Sequence, residues 1–201
     1  MSGDSVIFDL DGTLWDINPA VALARNQVLV RRGIPHPLFT AEDIRKTVGL
    51  PNDEVYRRAL PGSPPELQDS IRQEVEELLV PLIDQGARLF PGVADGVPRL
   101  AATRPLFIVS NCAAGYIEKF FAWSKLGRYF QDHACYGATG LSKAENIRLV
   151  VKRHGLQNPV FVGDMKSDQE AARTAGLQYI HVDYGFGEPN LPCRRAGVTL
   201  I

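Results

Sequence analysis

Asp9 and Asp11 stand two residues apart at the tip of an apolar run, Ser5-Val-Ile-Phe-Asp-Leu-Asp-Gly-Thr13. Side chains at i and i+2 of a strand share a face, so the two acids repel unless a cation lies between them. A divalent metal resolves that conflict. Gly12 lets the backbone turn without a Cβ penalty, and the amides of Gly12 and Thr13 are then expected to face an anion. Two further apolar runs end in the same manner: Phe107-Ile-Val109 leads into Ser110 and Asn111, and Phe161-Val162 leads into Gly163 and Asp164. Lys143 opens a helical pattern directly after Gly140-Leu-Ser142. Hard oxygen ligands for a metal and a lysine to answer phosphate charge are the inventory of a magnesium-dependent phosphoryl-transfer site.

These residues need strands to carry them to one edge. Candidate strands are Leu106 to Ser110, Ala134 to Tyr136, Val160 to Gly163 and Tyr179 to Val182, and they alternate with candidate helices at Gly115 to Lys125, Lys143 to His154 and Ser167 to Ala175. Alternation of this kind implies a parallel sheet with helices on both faces, and ligands gather at the carboxyl ends of its strands. Between the first strand and the next, the pattern is wholly helical: Ala20 to Val30, Thr40 to Val48, Asp53 to Leu60 and Pro65 to Leu82, broken by Gly33, Pro35, Gly49-Leu-Pro51 and Pro61-Gly-Ser-Pro64. The fold class is therefore α/β, a Rossmann-like parallel sheet core with an inserted all-helical domain. Residues 1–15 and 89–201 form the core and 16–88 the insertion. Pro98 argues against a clean helix over Val93 to Ala101.

The chain has 201 residues, 45% hydrophobic and 22% charged, the proportions of a folded globular protein. A formal net charge of -1 gives no footprint for nucleic acid or an anionic membrane. No apolar stretch is long enough for a signal peptide or a membrane span. Cys112, Cys135 and Cys193 are odd in number and widely spaced, which argues against a disulfide framework and a cysteine-rich zinc site. A cytoplasmic setting, a small-molecule partner and a monomer or weak homodimer follow as expectations. His36, His133, His154 and His181 show no metal-ligand spacing and receive no catalytic role.

The ordered set Asp9-Leu-Asp-Gly-Thr13, Ser110-Asn111, Lys143 and Gly163-Asp-Met-Lys-Ser-Asp168 resembles the four motifs of the haloacid dehalogenase superfamily. The continuation Ala171-Ala172 and Ala175-Gly176 also matches, and the helical insertion resembles that superfamily's C1 cap. The phosphoglycolate phosphatase-like hydrolases are the subgroup resembled most. The resemblance implies that Asp9 is a nucleophile forming an aspartyl-phosphate, with Asp11 as general acid and then base. It further implies that Gly12, Thr13, Ser110, Asn111 and Lys143 bind phosphate. Asp9, Asp164 and the Asp11 carbonyl would hold Mg2+, and Asp168 would orient Lys143 or a metal-bound water. A lysine reserved for phosphate predicts that its loss costs activity rather than stability. Two positions depart from the pattern: Ala144-Glu145-Asn146 follows Lys143 where relatives often carry Lys-Pro, and Met165 replaces a small polar residue.

The implied activity is hydrolysis of a small phosphorylated metabolite. A dehalogenase or phosphonatase is disfavoured because Asp11 supplies the second acid of ester cleavage. A mutase of the β-phosphoglucomutase type is disfavoured because Gly49-Leu-Pro51-Asn52 lacks a basic residue. A receiver-like signalling domain does not place its acid pair on one strand, and a phosphate-sensing domain without turnover is the remaining non-enzymatic alternative. Alone, Ser110 would be read as a helix cap, Arg45 and Lys46 as solvated helix charges, and Tyr184-Gly-Phe-Gly187 as a loop bordering the site. The helical block is expected to close over the core, with Gly86 as a permissive hinge and Trp15 reporting the closure.

Overall fold

The computed structural model describes residues 3–35, 38–48, 50, 52–187 and 194–195. The core sheet is built from β1 (Ser5–Phe8), β4 (Leu106–Ser110), β5 (Asp132–Cys135), β6 (Pro159–Gly163), β7 (Gln178–His181) and the short β8 (Arg194–Arg195). Its order is β5-β4-β1-β6-β7-β8, and every pairing is parallel. Two-residue strands β2 (Trp15–Asp16) and β3 (Arg88–Leu89) make a second sheet. The helices are α1 (Asn18–Arg31), α2 (Ala41–Arg45), α3 (Asn52–Ala59), α4 (Pro65–Gly86), α5 (Val93–Ala101), α6 (Tyr116–Ser124), α7 (Tyr136–Thr139), α8 (Lys143–His154) and α9 (Lys166–Ala175), with a 3-10 turn at Gly127–Tyr129.

Strand order reverses at β1. Going outward, β4 and β5 lie on one side and β6 to β8 on the other, which opens a crevice at the carboxyl ends of β4, β1 and β6. Register aligns these ends: Phe8 pairs with Ile108 in β4 and with Val162 in β6. The two-residue period sends Ile7, Phe107, Val109 and Phe161 to one face, where they pack with Ala144, Ile147 and Val150 of α8 and Ala171 and Ala172 of α9. Val6, Phe8, Leu106, Ile108, Val160 and Val162 hold the alternate positions and are also buried, as a sheet covered on both sides requires.

The chain divides into two compact units, residues 1–16 with 89–201, and residues 17–88. In the second, α1 and α4 make the principal helix pair. Ala20, Ala24 and Val28 lie on one stripe of α1, and Ile71, Val75, Leu79 and Leu82 on one stripe of α4, all buried. A Cβ on Gly86 would lie 2.5 Å from the Ala20 backbone nitrogen. Gly86, the last residue of α4, is thus held to glycine by its close approach to the α1 backbone. Arg45 pairs with Glu42 at 3.0 Å and Lys46 with Asp43 at 3.7 Å, the ion pairs of a solvated helix face.

Two local expectations are corrected. Residues 93–101 form one helix despite Pro98, since proline deletes a single donor and the remaining bonds survive. Tyr136 starts α7 instead of ending β5. The cap loop at Gly49 and Pro51 and the residues His36 and Cys193 lie outside the described residues.

Candidate active site

Asp9 follows β1 directly, and its N–H still donates to Val162 O at 2.8 Å, so the strand's pairing carries the acid into the crevice. The turn after it closes on itself. The N–H groups of Thr13, Leu14 and Trp15 all point to Leu10 O, at 3.3, 2.9 and 3.4 Å, and Gly12 N–H donates to Trp15 O at 3.0 Å. The Gly12 and Thr13 amides therefore do not face an anion, contrary to the sequence expectation, because a tight turn consumes its own donors. Those of Leu10 and Asp11 take no part in these turn bonds.

Lys143 is the first residue of α8, where the helix dipole alone disfavours a cation. Its Nζ donates to Asp9 Oδ1 at 2.7 Å and to Asp168 Oδ1 at 2.6 Å. Burial pulls the ammonium's pKa down, but the Asp168 and Asp9 carboxylates outweigh it and hold the lysine charged. Burial pushes Asp9 up, Lys143 opposes, and Asp168 and Asp164 push it up again. Ligand oxygens of Asp9, Asp164 and Asp168 lie within 4.8 Å of one another, and all three residues are buried. Three carboxylates against one ammonium leave excess negative charge in a buried site, which is the environment a hard divalent cation fits.

Asp164, one residue beyond β6, is held on both oxygens. Thr13 Oγ1 donates to Oδ1 at 3.2 Å, while Phe186 N–H and Gly187 N–H donate to Oδ2 at 2.7 and 3.3 Å. Gly12 has φ +83°, and a Cβ there would lie 2.3 Å from Asp164 Oδ2; one on Gly185 would lie 2.3 Å from Asp164 Cβ. The glycines thus make the cradle in which this carboxylate sits. Burial and the neighbouring Asp168 raise its pKa to about 6. Tyr184 Oη donates to Thr13 O at 2.9 Å, so the loop read from sequence as a mere border clamps two site residues at once.

The Asp11 carboxylate stands outside that acid cluster. Its Oδ1 accepts from Trp15 Nε1 at 2.8 Å and from Tyr116 Oη at 2.9 Å. Burial lifts Asp11 to about 6 against the pull of those two donors. Neither partner belongs to the sequence motifs, and no local pattern points to them. Ser110 ends β4 and is buried, whereas Asn111 is exposed. Ser110 is not the cap of α6, which is Gly115.

The loop before Lys143 is fixed by a polar network that the sequence reading missed. Thr139 Oγ1 donates to Asn146 Oδ1 at 2.9 Å, and the fully buried Asn146 donates through Nδ2 to Leu141 O at 2.9 Å. Ser142 caps α8, with Glu145 N–H donating to Ser142 Oγ at 3.3 Å and Ser142 N–H to Glu145 Oε2 at 2.8 Å. Asp168 does two tasks, since its second oxygen accepts from Met165 N–H at 3.0 Å at the start of α9. It needs only a backbone donor from residue 165, which is why Met165 is tolerated there.

A family model for haloacid dehalogenase-like hydrolases matches residues 6–182. The phosphoglycolate phosphatase of Vibrio vulnificus is 31% identical over 198 residues, covering 92% of this chain and 86% of that one. The phosphoglycolate phosphatase of Escherichia coli K12 is 29% identical, with 90% and 81% covered. Among solved structures, a haloacid dehalogenase-like hydrolase from Streptococcus pneumoniae superposes with a TM-score of 0.78 at 25% identity, covering 93% of this chain and 88% of that one. A subfamily IA hydrolase from Geobacter sulfurreducens shares the fold, with a TM-score of 0.77 at 19% identity and coverage of 96% and 92%. No helix among the described residues is long and apolar enough to cross a membrane. With Asp9, Lys143 and Asp164 all inside the matched span, the chain belongs to the haloacid dehalogenase-like hydrolase family, and within it to the phosphatases that cleave phosphoric monoesters.

Proposed function

We propose that this protein hydrolyses a small phosphorylated metabolite through an aspartyl-phosphate on Asp9, with Mg2+ as cofactor. The observation that carries the reading is the buried group of Asp9, Asp164 and Asp168 around Lys143, at the carboxyl ends of β1 and β6. Asp9 attacks phosphorus as the ester P–O bond breaks, and Asp11 gives its proton to the departing oxygen. Asp11 then takes a proton from the water that attacks phosphorus, and Asp9 is released. Lys143 opposes the burial that pushes Asp9's pKa up and meets phosphate charge, while the Leu10 and Asp11 amides, Ser110 and Asn111 would bind phosphate oxygens. Asp9, Asp164 and the Asp11 carbonyl would hold the metal, with Asp168 acting through Lys143. Bound Mg2+ supplies charge neutralisation for phosphate.

The relatives named phosphoglycolate phosphatases make 2-phosphoglycolate the first substrate to assay, within a panel of small phosphate esters. Asp9→Asn is nearly isosteric and is expected to lower turnover at least about 10³-fold with the fold kept. Asp164→Ala should chiefly raise the Mg2+ concentration needed for half-maximal rate. Wild-type turnover in Asp9→Asn, or an unaltered magnesium dependence in Asp164→Ala, refutes the corresponding role.

A further inference from the structure

Two donors converge on one oxygen of Asp11. Trp15 Nε1 and Tyr116 Oη both donate to Oδ1, at 2.8 and 2.9 Å, and no donor among the described residues reaches Oδ2. The indole N–H can only donate, so it reserves Oδ1 as an acceptor in every protonation state. A proton on Oδ1 would meet the indole hydrogen head-on and force the Tyr116 hydroxyl to turn from donor to acceptor, whereas one on Oδ2 disturbs neither bond. The two donors also hold the plane of the carboxyl group, because any turn short of exchanging its two equivalent oxygens breaks both bonds.

The donors are themselves fixed. Trp15 is fully buried, and its ring centroid lies 5.5 Å from that of Tyr116, 5.2 Å from Phe120 and 5.7 Å from Trp123. The first two contacts are edge-on, the favoured aromatic arrangement. Tyr116 is the first residue of α6 and arrives from 105 residues away in sequence to meet Asp11. An aromatic cluster of this kind holds the two donors rigidly against the carboxyl group, as a proton carrier needs.

We infer that Trp15 and Tyr116 are positioning residues which assign the transferable proton to Asp11 Oδ2 and fix the direction in which that oxygen points. The inference rests on Asp11 being the acid and base of the reaction proposed above. In the first half-reaction the Oδ2 proton passes to the leaving oxygen, which has kept the electron pair of the broken P–O bond. In the second, Oδ2 recovers a proton from water as the new P–O bond forms and the Asp9–phosphorus bond breaks.

A misdirected acid hurts esters with poor leaving groups and matters little for esters whose leaving group needs no proton. The test compares kcat/KM, with Mg2+ present, for an alkyl phosphate and for p-nitrophenyl phosphate. Tyr116→Phe removes one hydroxyl and keeps the ring, so it preserves the aromatic cluster, and thermal melting checks that. It is expected to lower the alkyl rate about tenfold more than the aryl rate. Trp15→Phe should bias the rates in the same direction, but its loss of packing makes Tyr116→Phe the deciding variant. Asp11→Asn sets the limit, with a bias of about 10²- to 10⁴-fold. Equal losses on both esters in Tyr116→Phe, beside a biased Asp11→Asn, overturn the positioning role alone. No bias in Asp11→Asn overturns the acid assignment itself and the positioning role with it.

Discussion

Asp11 and Asp164 are both raised from 3.8 to about 6, by burial first in each case. A folded-state pKa above the unfolded one means that the native protein binds more protons between those two values, so stability is full below 3.8 and falls as pH rises toward about 6. In metal-free protein each acid is expected to cost on the order of 1 to 3 kcal/mol across that window. Urea unfolding with chelator at pH 4.5 and 6.5 measures it, and Asp164→Asn should flatten the slope. An equal slope in that variant would refute the assignment. Lys143 sets a second expectation. Its partners are two buried carboxylates, Asp168 in line with the resemblance and Asp9 besides, so the expectation that its loss costs activity rather than stability is revised. Lys143→Ala leaves those charges uncompensated and should destabilise the protein by about 3 kcal/mol as well as abolish turnover, with Mg2+ restoring part of the stability. A melting temperature equal to wild type would show that the pair is energetically idle.

At the level of elements, the site is made by what ends each strand. β1 and β6 deliver Asp9 and Asp164 because parallel register sets their tips level, and the loop after β7 returns to close on Asp164 from outside. That loop has no room for a side chain at residue 185, where a Cβ would also come within 2.5 Å of Gly12 O. Gly185→Ala is therefore expected to cost about 1 to 3 kcal/mol through overpacking and to raise the Mg2+ concentration needed for half-maximal rate through displacement of Asp164. Calorimetry and magnesium titration of the rate test both halves. Normal stability and normal metal response together would mean that the loop yields freely. α8 works by the opposite route, since its capping box and the Asn146 bonds make a rigid start from which Lys143 extends.

At the scale of the molecule, two compact units joined by two chain crossings, at 16/17 and 88/89, suit a helical body that moves as one. We expect magnesium with a fluoride-based phosphoryl mimic to reduce the radius of gyration in solution scattering and to slow hydrogen exchange in residues 17–88, and Asp9→Asn to remove both effects. An unchanged radius together with unchanged exchange would count against a moving cap. Trp15 packs against Trp123, with ring centroids 5.7 Å apart, so a fluorescence readout of such a motion from Trp15 needs the Trp123→Phe variant.

Much of this was legible in the chain itself. The β1 and β6 motifs, the strand–helix alternation and the placement of Lys143 at a helix start depend on neighbours within a few residues: period-two burial, a glycine that permits a turn, a serine that caps. Such signals are local, and they single out Asp9, Asp11, Lys143 and Asp164 without any tertiary contact. They could not say which acids gather. The i, i+2 argument paired Asp9 with Asp11, yet the strand ends at Phe8 and the turn after it bonds inward, sending the Asp11 carboxylate to Trp15 and Tyr116 while Asp168 joins Asp9 across Lys143. Those contacts span 105 residues to Tyr116 and 134 between Asp9 and Lys143. No periodicity encodes partners so distant; the parallel register of β4, β1 and β6, the Tyr116 bond from the start of α6 and the packing of α8 on the sheet decided them.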